Sequence, residues 1–433
     1  MEEVAGPGVS PAAKWARTGL FVIAGAMALQ LLFNLINSLL GGSYPFTWFG
    51  FYRDDRWADF FKMAFAYSGD PIHEPIRAWP SQPHIDHLHE LADGYHGSNI
   101  NPDHMPPVET FLAVLVRRGF SLMDPFLLFQ GVLWAVMLSL AATISAFGPK
   151  GEWRWVAAAF LTYPVWYMFD RGHFLSTVCA ISLLAGCRRL LAGEGRFDGW
   201  AIFLLALACN MRPNVVLLPA LLVLSGKAGR FRDLVALGIA GAVMLEVAMI
   251  AASWLSPHYG WSTWISGLID YNRVYVIKPL GRGFTTSLPS AMTLLFGYHR
   301  VFGLLGQALG AATLLAALVA GRKGRLGTAE ISFVALGAMV LSTPALGDYH
   351  LLPFLLPLLL LGREDRPLQP GETIVAVASF ALLIPKNYIY GSAHPYDPWS
   401  IQVVANPLLV LVAVIAVLAL AYRPVAVAEP ATA

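Results

Sequence analysis

A chain of 433 residues with 57% hydrophobic and 13% charged side chains lies far from the roughly 25% charge of soluble domains, which excludes a soluble globular enzyme. Apolar runs recur from Leu20 to Ala421 with short interruptions, so the length belongs to one membrane-embedded helical bundle and not to two or three soluble domains. The formal net charge of +2 gives no basis for a nucleic-acid partner, and the three cysteines, Cys179, Cys187 and Cys209, stand in apolar segments without disulfide or metal-ligand spacing.

The first run, Gly19 to Leu40, is long enough to span a membrane and has no small-residue cleavage site after it, so it reads as a retained helix. Lys14 and Arg17 ahead of it make residues 1–18 a cytoplasmic tail by the rule that basic residues flank spans on the cytoplasmic side. The polar stretch 41–123 then falls outside as a first periplasmic loop. Pro125 to Phe147 returns to Lys150 and Arg154; Trp155 to Phe169 crosses out to Asp170, Arg171 and His173; Phe174 to Leu191 comes back to Arg188, Arg189 and Arg196. Trp200 to Met211 and Val215 to Leu224 form a short pair meeting outside at Arg212 and Pro213, with Lys227, Arg230 and Arg232 inside. Leu234 to Leu255 leads to a second outer segment, 256–300, and Val301 to Ala320 returns to Arg322, Lys323 and Arg325. Two hairpins follow: Ile331 to Thr343 with Leu351 to Leu361 around the turn ALGDYH, and Ile374 to Ile384 with Val403 to Leu420.

The expected fold is therefore all-α, a polytopic bundle of about twelve helices over 19–423, with short interfacial helices in the large outer loop and a cytoplasmic tail at 424–433. Several crossings are shorter than the roughly 20 residues of a simple span, so they must be tilted, broken or shielded by neighbours. Pro164, Pro213, Pro219, Pro344, Pro353 and Pro357 mark interruptions of backbone hydrogen bonding.

All eleven histidines fall on the outer side of this topology, His173, His258, His299, His350 and His394 among them. Interfacial preference alone would populate both faces, so the asymmetry places chemistry outside. In the outer stretch DDRWADFFK, Asp55 and Asp59 share one helical face at i and i+4. A carboxylate at the lipid surface suits a general base that meets a membrane-borne substrate. The alternative is a solvated network in which Arg53, Arg56 and Lys62 neutralise the acids. The tract PHIDHLHE, Pro83 to Glu90, lacks the His pair of HExxH and reads as a polar loop over the site entrance; no metal ligand and no cofactor is assigned. Arg171 in DRGH, Arg212 in NMRPN, and Arg273, Lys278 and Arg282 in YNRVYVIKPLGRG stand at the ends of apolar runs, where a guanidinium fork suits a phosphate at headgroup depth. Snorkelling to lipid headgroups is the competing explanation.

An outer aspartate motif after the first helix, Pro106-Pro107 in DHMPPVETF, Arg171-Gly172 in DRGH, Arg212-Pro213, and a turn SxPxxxxYH formed by Ser342, Pro344, Tyr349 and His350 follow one another in this order. The succession resembles glycosyltransferase family 87, within the GT-C superfamily of integral membrane glycosyltransferases typified by polyprenol-phosphate-mannose-dependent mannosyltransferases. It spans about Phe21 to Leu361. The resemblance implies a GT-C-type bundle, a polyprenyl-phosphate sugar donor in the outer leaflet, inversion at the anomeric carbon, a lipid or glycan hydroxyl as acceptor, and membrane lipids as surroundings. It implies a general base at Asp55 or at Asp59 and a sugar or phosphate contact from His350; donor phosphate contacts from Arg171, Arg273, Lys278 and Arg282, and sugar or donor contacts from His173 and Asp348, are expected from their places at the outer ends of the apolar runs. His173 stands where that family often has Asn or Gln.

The residue inventory fits such a reaction. A hydroxyl acceptor needs one base, whereas a phosphate leaving group needs charge neutralisation and no acid. Gly94 to Pro107, rich in Gly, Asn and Pro, suits a lid. A polysaccharide polymerase or ligase acting on lipid-pyrophosphate glycan would also be polytopic and arginine-bearing. A lipid-sugar flippase would carry its polar residues at mid-membrane, where Glu246 is the main charge.

Overall fold

The structure, a computed structural model, describes residues 11–39, 106–120, 125–147, 153–193, 195–255, 259–271, 285–344, 346–364, 366–386, 390–391 and 399–423. Over these residues the chain is helical, apart from a two-residue antiparallel pairing of Tyr390–Gly391 with Trp399–Ser400. Five helices are long and apolar enough to cross a membrane: α3 (Pro125–Phe147, apolar from Leu127), α6 (Phe174–Ala192), α9 (Phe231–Leu255), α12 (Arg300–Arg322) and α16 (Gln402–Ala421). Around them stand α1 (Pro11–Leu39), α2 (Pro107–Phe120), α4 (Trp153–Phe160), α5 (Tyr163–Arg171), α7 (Gly199–Met211), α8 (Leu217–Leu224), α10 (Trp261–Tyr271), α11 (Leu288–Phe296), α13 (Thr328–Ser342), α14 (Leu355–Leu361) and α15 (Pro370–Leu383).

The helix ends follow local chemistry. Asp198 caps α7, its carboxylate accepting the amide N–H of Trp200 (2.9 Å) and Ala201 (3.2 Å). Ser287 caps α11, and Glu330 and Glu372 reach back to the amides of Gly327 and Gln369 to close the first turns of α13 and α15. α7 stops at Met211 because the residue before a proline is driven out of the helical region, and Arg212 is extended at φ −141°, ψ 93°.

The expected single crossing from Trp155 to Phe169 is two helices. Pro164 has no N–H to donate to Phe160, so α4 ends there and α5 starts a new turn at Tyr163. The stretch 41–123, expected to be an outer loop with short interfacial helices, ends in a helix that packs into the bundle: Val108, Ala113 and Val114 of α2 are buried and α2 packs on α9, α7 and α3. The second outer segment likewise holds α10 and α11.

Short helices are sheltered as the span arithmetic requires. The 15-residue α13 is buried at every position from Ala329 to Leu341, wrapped by α8, α11, α12, α14, α15 and α16. Its contact with α12 is close because Gly306 and Gly310 face it one turn apart. A β-carbon at Gly306 would lie 2.6 Å from the Leu341 carbonyl oxygen, and one at Gly310 would lie 2.8 Å from Ser342 Cβ. Small residues at i and i+4 bring membrane helices together in this way.

The two ends of the bundle differ in chemistry. α6 and α7 run antiparallel, so Ser176 and Arg212 lie at one end while Arg189 and Asp198, joined at 2.8 Å, lie at the other. That second end gathers Arg232, which donates to Gly195 O, Arg322, which donates to Leu224 O, Arg325, which donates to Ala421 O, and Arg366, paired with Glu372 at 2.7 Å. These are the loops that the charge rule assigns to one side of the membrane.

Candidate functional site

At the opposite end, four elements meet around Arg212. Pro107 begins α2, where its missing N–H costs nothing, and puts Glu109 in the first turn with its side chain 2% exposed. The Glu109 carboxylate accepts from Arg212 Nη1 at 2.5 Å. The extended backbone before Pro213 turns the Arg212 side chain back along the end of α7, where Nη1 also donates to the Met211 carbonyl (2.9 Å) and Nη2 to Ser176 Oγ (3.3 Å).

The remaining direction of the guanidinium is taken by His350. Arg212 Nε donates to His350 Nε2 at 2.7 Å, which requires that nitrogen to carry no proton. The imidazole is therefore neutral with its proton on Nδ1, which donates to the Gly347 carbonyl 3.0 Å away. The turn that supplies Gly347 is tied from its other side. Thr286 N–H donates to Leu346 O at 2.5 Å, the hydroxyls of Ser287 and Ser290 donate to Pro344 O at 3.1 and 2.8 Å, and Thr285 bridges Gly347. Asn214, just beyond Arg212, donates to Thr343 Oγ1 at 3.2 Å.

His173 enters through the α5–α6 turn. Gly172 holds a left-handed φ of 67°, which a side-chain-bearing residue rarely adopts. The turn sets His173 as the N-cap of α6, its Nδ1 accepting the Ser176 amide at 3.4 Å. Ser176 thus joins His173 by its amide and Arg212 by its hydroxyl. One residue on, the buried Thr177 hydroxyl has no hydrogen-bond partner among the described residues, and the same holds for Thr285 beside Gly347.

No family model, curated protein or solved structure matches this chain.

Of the residues expected from the sequence, the structure brings His173 and His350 into one cluster. Arg171 closes α5 and Asp348 opens the 3₁₀ turn Asp348–Phe354; their side chains lie outside what is described. Asp55, Asp59, Arg273, Lys278 and Arg282 fall outside the described residues, as does the tract 83–90. No group of three or more His, Cys, Asp or Glu suited to a metal ion occurs among the described residues.

Glu109 and Ser176 were not expected at the site; Arg212 was expected as a phosphate-suited cation at the end of a run and as part of the Arg212-Pro213 motif, but was not assigned a donor contact. The signal for Glu109 is present in PPVETF: a proline at the first helical position with an acid in the first turn is a helix start. For Ser176 no sequence signal distinguishes it from other small polar residues on a span.

The arrangement is a fixed cation bonded to a neutral imidazole, His350, and to the hydroxyl of Ser176, the residue whose amide meets His173. Glu109 is paired with Arg212 and holds the guanidinium in one orientation. The buried Thr177 and Thr285 hydroxyls add donors without a hydrogen-bond partner among the described residues.

Proposed function

We propose that this chain is an inverting membrane glycosyltransferase of about twelve crossings. It moves a hexose, mannose or another, from a polyprenyl-phosphate donor to a hydroxyl on a lipid or glycan acceptor. The site faces the periplasmic side of a bacterial inner membrane, and both termini are cytoplasmic. The observation that carries the reading is the gathering of Glu109, His173, Ser176, Arg212 and His350, remote in sequence, at the end of the bundle opposite the basic loops. A channel or flippase would hold its polar groups near mid-membrane; an enzyme that acts on a lipid-phosphate headgroup needs them at one surface.

In this reading Arg212, oriented by Glu109 and His350, neutralises charge that develops on the leaving phosphate, a fixed electrostatic contribution that needs no reorganisation during the reaction. Arg171, Arg273, Lys278 and Arg282 extend that cationic surface. His173 and His350 line the sugar, with Asp348 beside them. Asp55 or Asp59 takes the proton from the acceptor hydroxyl as it attacks the anomeric carbon from the face opposite the phosphate, which inverts the configuration. The donor requires one base and several cations, in contrast to the paired carboxylates of glycoside hydrolysis.

The test is transfer by the purified chain in proteoliposomes loaded with polyprenyl-phosphate hexoses and membrane-extracted acceptors, with the product linkage read by NMR. A product inverted relative to the donor is expected. A product of retained configuration, or transfer from a lipid-pyrophosphate oligosaccharide in place of the monophosphate, would overturn the reading in favour of another enzyme class.

A further inference from the structure

The end of the bundle away from the Arg212 cluster holds a concave site that the proposed reaction does not use. The loop between α6 and α7 closes a cleft of about 410 Å³ lined by Arg189, Gly193, Arg196, Phe197, Asp198 and Gly199. It lies between the last turn of α6 and the start of α7, and Arg230 and Arg232, at the start of α9, reach the same loop. Gly195, in the left-handed region at φ 78°, sits directly against Arg230. A β-carbon there would lie 3.0 Å from Arg230 Nε. Its carbonyl accepts from Arg232 Nη2 at 3.3 Å, while the Arg232 guanidinium carbon lies 5.4 Å from the centre of the Phe197 ring.

Four guanidinium groups, those of Arg189, Arg196, Arg230 and Arg232, therefore surround one loop, and the carboxylates described beside them are already occupied. Asp198 accepts from Arg189 and from the two α7 amides. Asp233 accepts the Arg230 amide at 2.6 Å and Arg232 Nε at 3.2 Å. Arg196 is exposed on the wall of the cleft and has no ion-pair partner among the described residues. Glu194 of the same loop lies outside them.

The rim is aromatic. Phe197, Trp200 and Phe231 are 54%, 66% and 69% exposed at the ends of these spans, the position at which aromatic side chains meet lipid headgroups. A cationic cleft with an apolar rim at that depth matches an amphiphile with an anionic phosphate head: the phosphate receives the forked N–H donors of Arg196, and the acyl chains run along Trp200 and the exposed face of α9. A soluble phosphate satisfies the cations and leaves the aromatic rim in water.

We propose that the α6–α7 loop is a binding site for the phosphate headgroup of an anionic phospholipid in the leaflet opposite the Arg212 cluster. The site is independent of the transfer reaction. The test is native mass spectrometry of the full chain in detergent, titrated with phosphatidylglycerol, phosphatidylcholine or inorganic phosphate. The variants are Arg196→Gln, Arg230→Gln, and Arg300→Gln at the other end as a control. Phosphatidylglycerol is expected to bind at least tenfold more tightly than phosphatidylcholine, with about tenfold weaker binding in Arg196→Gln and no change in Arg300→Gln. A second readout, the upward shift in unfolding temperature on adding phosphatidylglycerol, should shrink in Arg196→Gln and in Arg230→Gln. Equal retention of the two lipids, an unaltered Arg196→Gln, or a stabilisation reproduced in full by inorganic phosphate would overturn the assignment.

Discussion

Replacing Arg212 by Met removes the centre of the polar cluster while keeping an unbranched side chain of similar length. The consequence follows from burial: the Glu109 side chain is 2% exposed and that of Arg212 18%, so the mutant leaves a carboxylate in the interior without its cation. Breaking one side of a buried pair costs about 3–5 kcal/mol, larger than the roughly 1–3 kcal/mol for orphaning the neutral acceptor His350 Nε2. The charge effect therefore sets the magnitude. Glu109→Gln keeps an acceptor in reach of Arg212 and should cost less, about 1.5–3 kcal/mol for a charge-assisted bond weakened to a neutral one. The double variant Glu109→Gln/Arg212→Met removes both charges and should be more stable than Arg212→Met alone, with a coupling of about 2–3 kcal/mol. Equilibrium unfolding in mixed micelles of rising dodecyl sulfate content, followed by tryptophan fluorescence, measures all three. A loss below about 1 kcal/mol for Arg212→Met, or a double variant that equals the sum of the singles, would show that the pair does not organise this end of the bundle.

Three further outcomes follow from particular contacts. Gly306→Ala should cost about 1–3 kcal/mol, because the new methyl meets the Leu341 carbonyl and Pro289; the same unfolding assay reads it, and an unchanged midpoint would mean α12 and α13 are not in close contact. Asn406 is fully buried with neither side-chain amide atom bonded among the described residues, so Asn406→Leu should be neutral or stabilising by about 1–3 kcal/mol, and a clear loss would show that the amide has a partner. At Asp198, burial works against ionisation, but Arg189 and the amides of Ala201 and Trp200 outweigh it and hold the carboxyl below the usual aspartate range. Its stabilisation is thus complete above the ordinary aspartate pKa and disappears as pH falls through the lowered one. Asp198→Ala should lose about 0.5–2 kcal/mol at neutral pH and converge on the wild type when both are measured in acid.

Composition and apolar runs made the membrane-embedded, helical character of the chain legible, and the described helices occupy the stretches those runs mark. Two things were hidden for physical reasons. α2 begins in a polar, proline-bearing stretch and reads PVETFLAVLVRRGF; its apolar face is one stripe, and only packing against α9 distinguishes it from an interfacial helix. The break between α4 and α5 depends on Pro164 lying one turn from Phe160 in a run whose hydropathy does not change. At the site, the alternation of loops expected from the charge rule placed His173, His350 and Arg212 on one side, and the described residues bring the three into one cluster. It did not reveal Glu109, whose partner lies 103 positions away, since pairing across that distance is set by helix packing and not by any local pattern.

The most direct test of the proposed chemistry is sugar transfer from a polyprenyl-phosphate donor in proteoliposomes, comparing the wild type with Asp55→Asn and Asp59→Asn at equal protein and equal thermal stability. A single general base at this pair predicts that one of the two variants loses transfer by about 10²–10⁴-fold, the contribution of a positioned general base, while the other retains it. Full activity in both, or no transfer by the wild type from any polyprenyl-phosphate hexose, would contradict it.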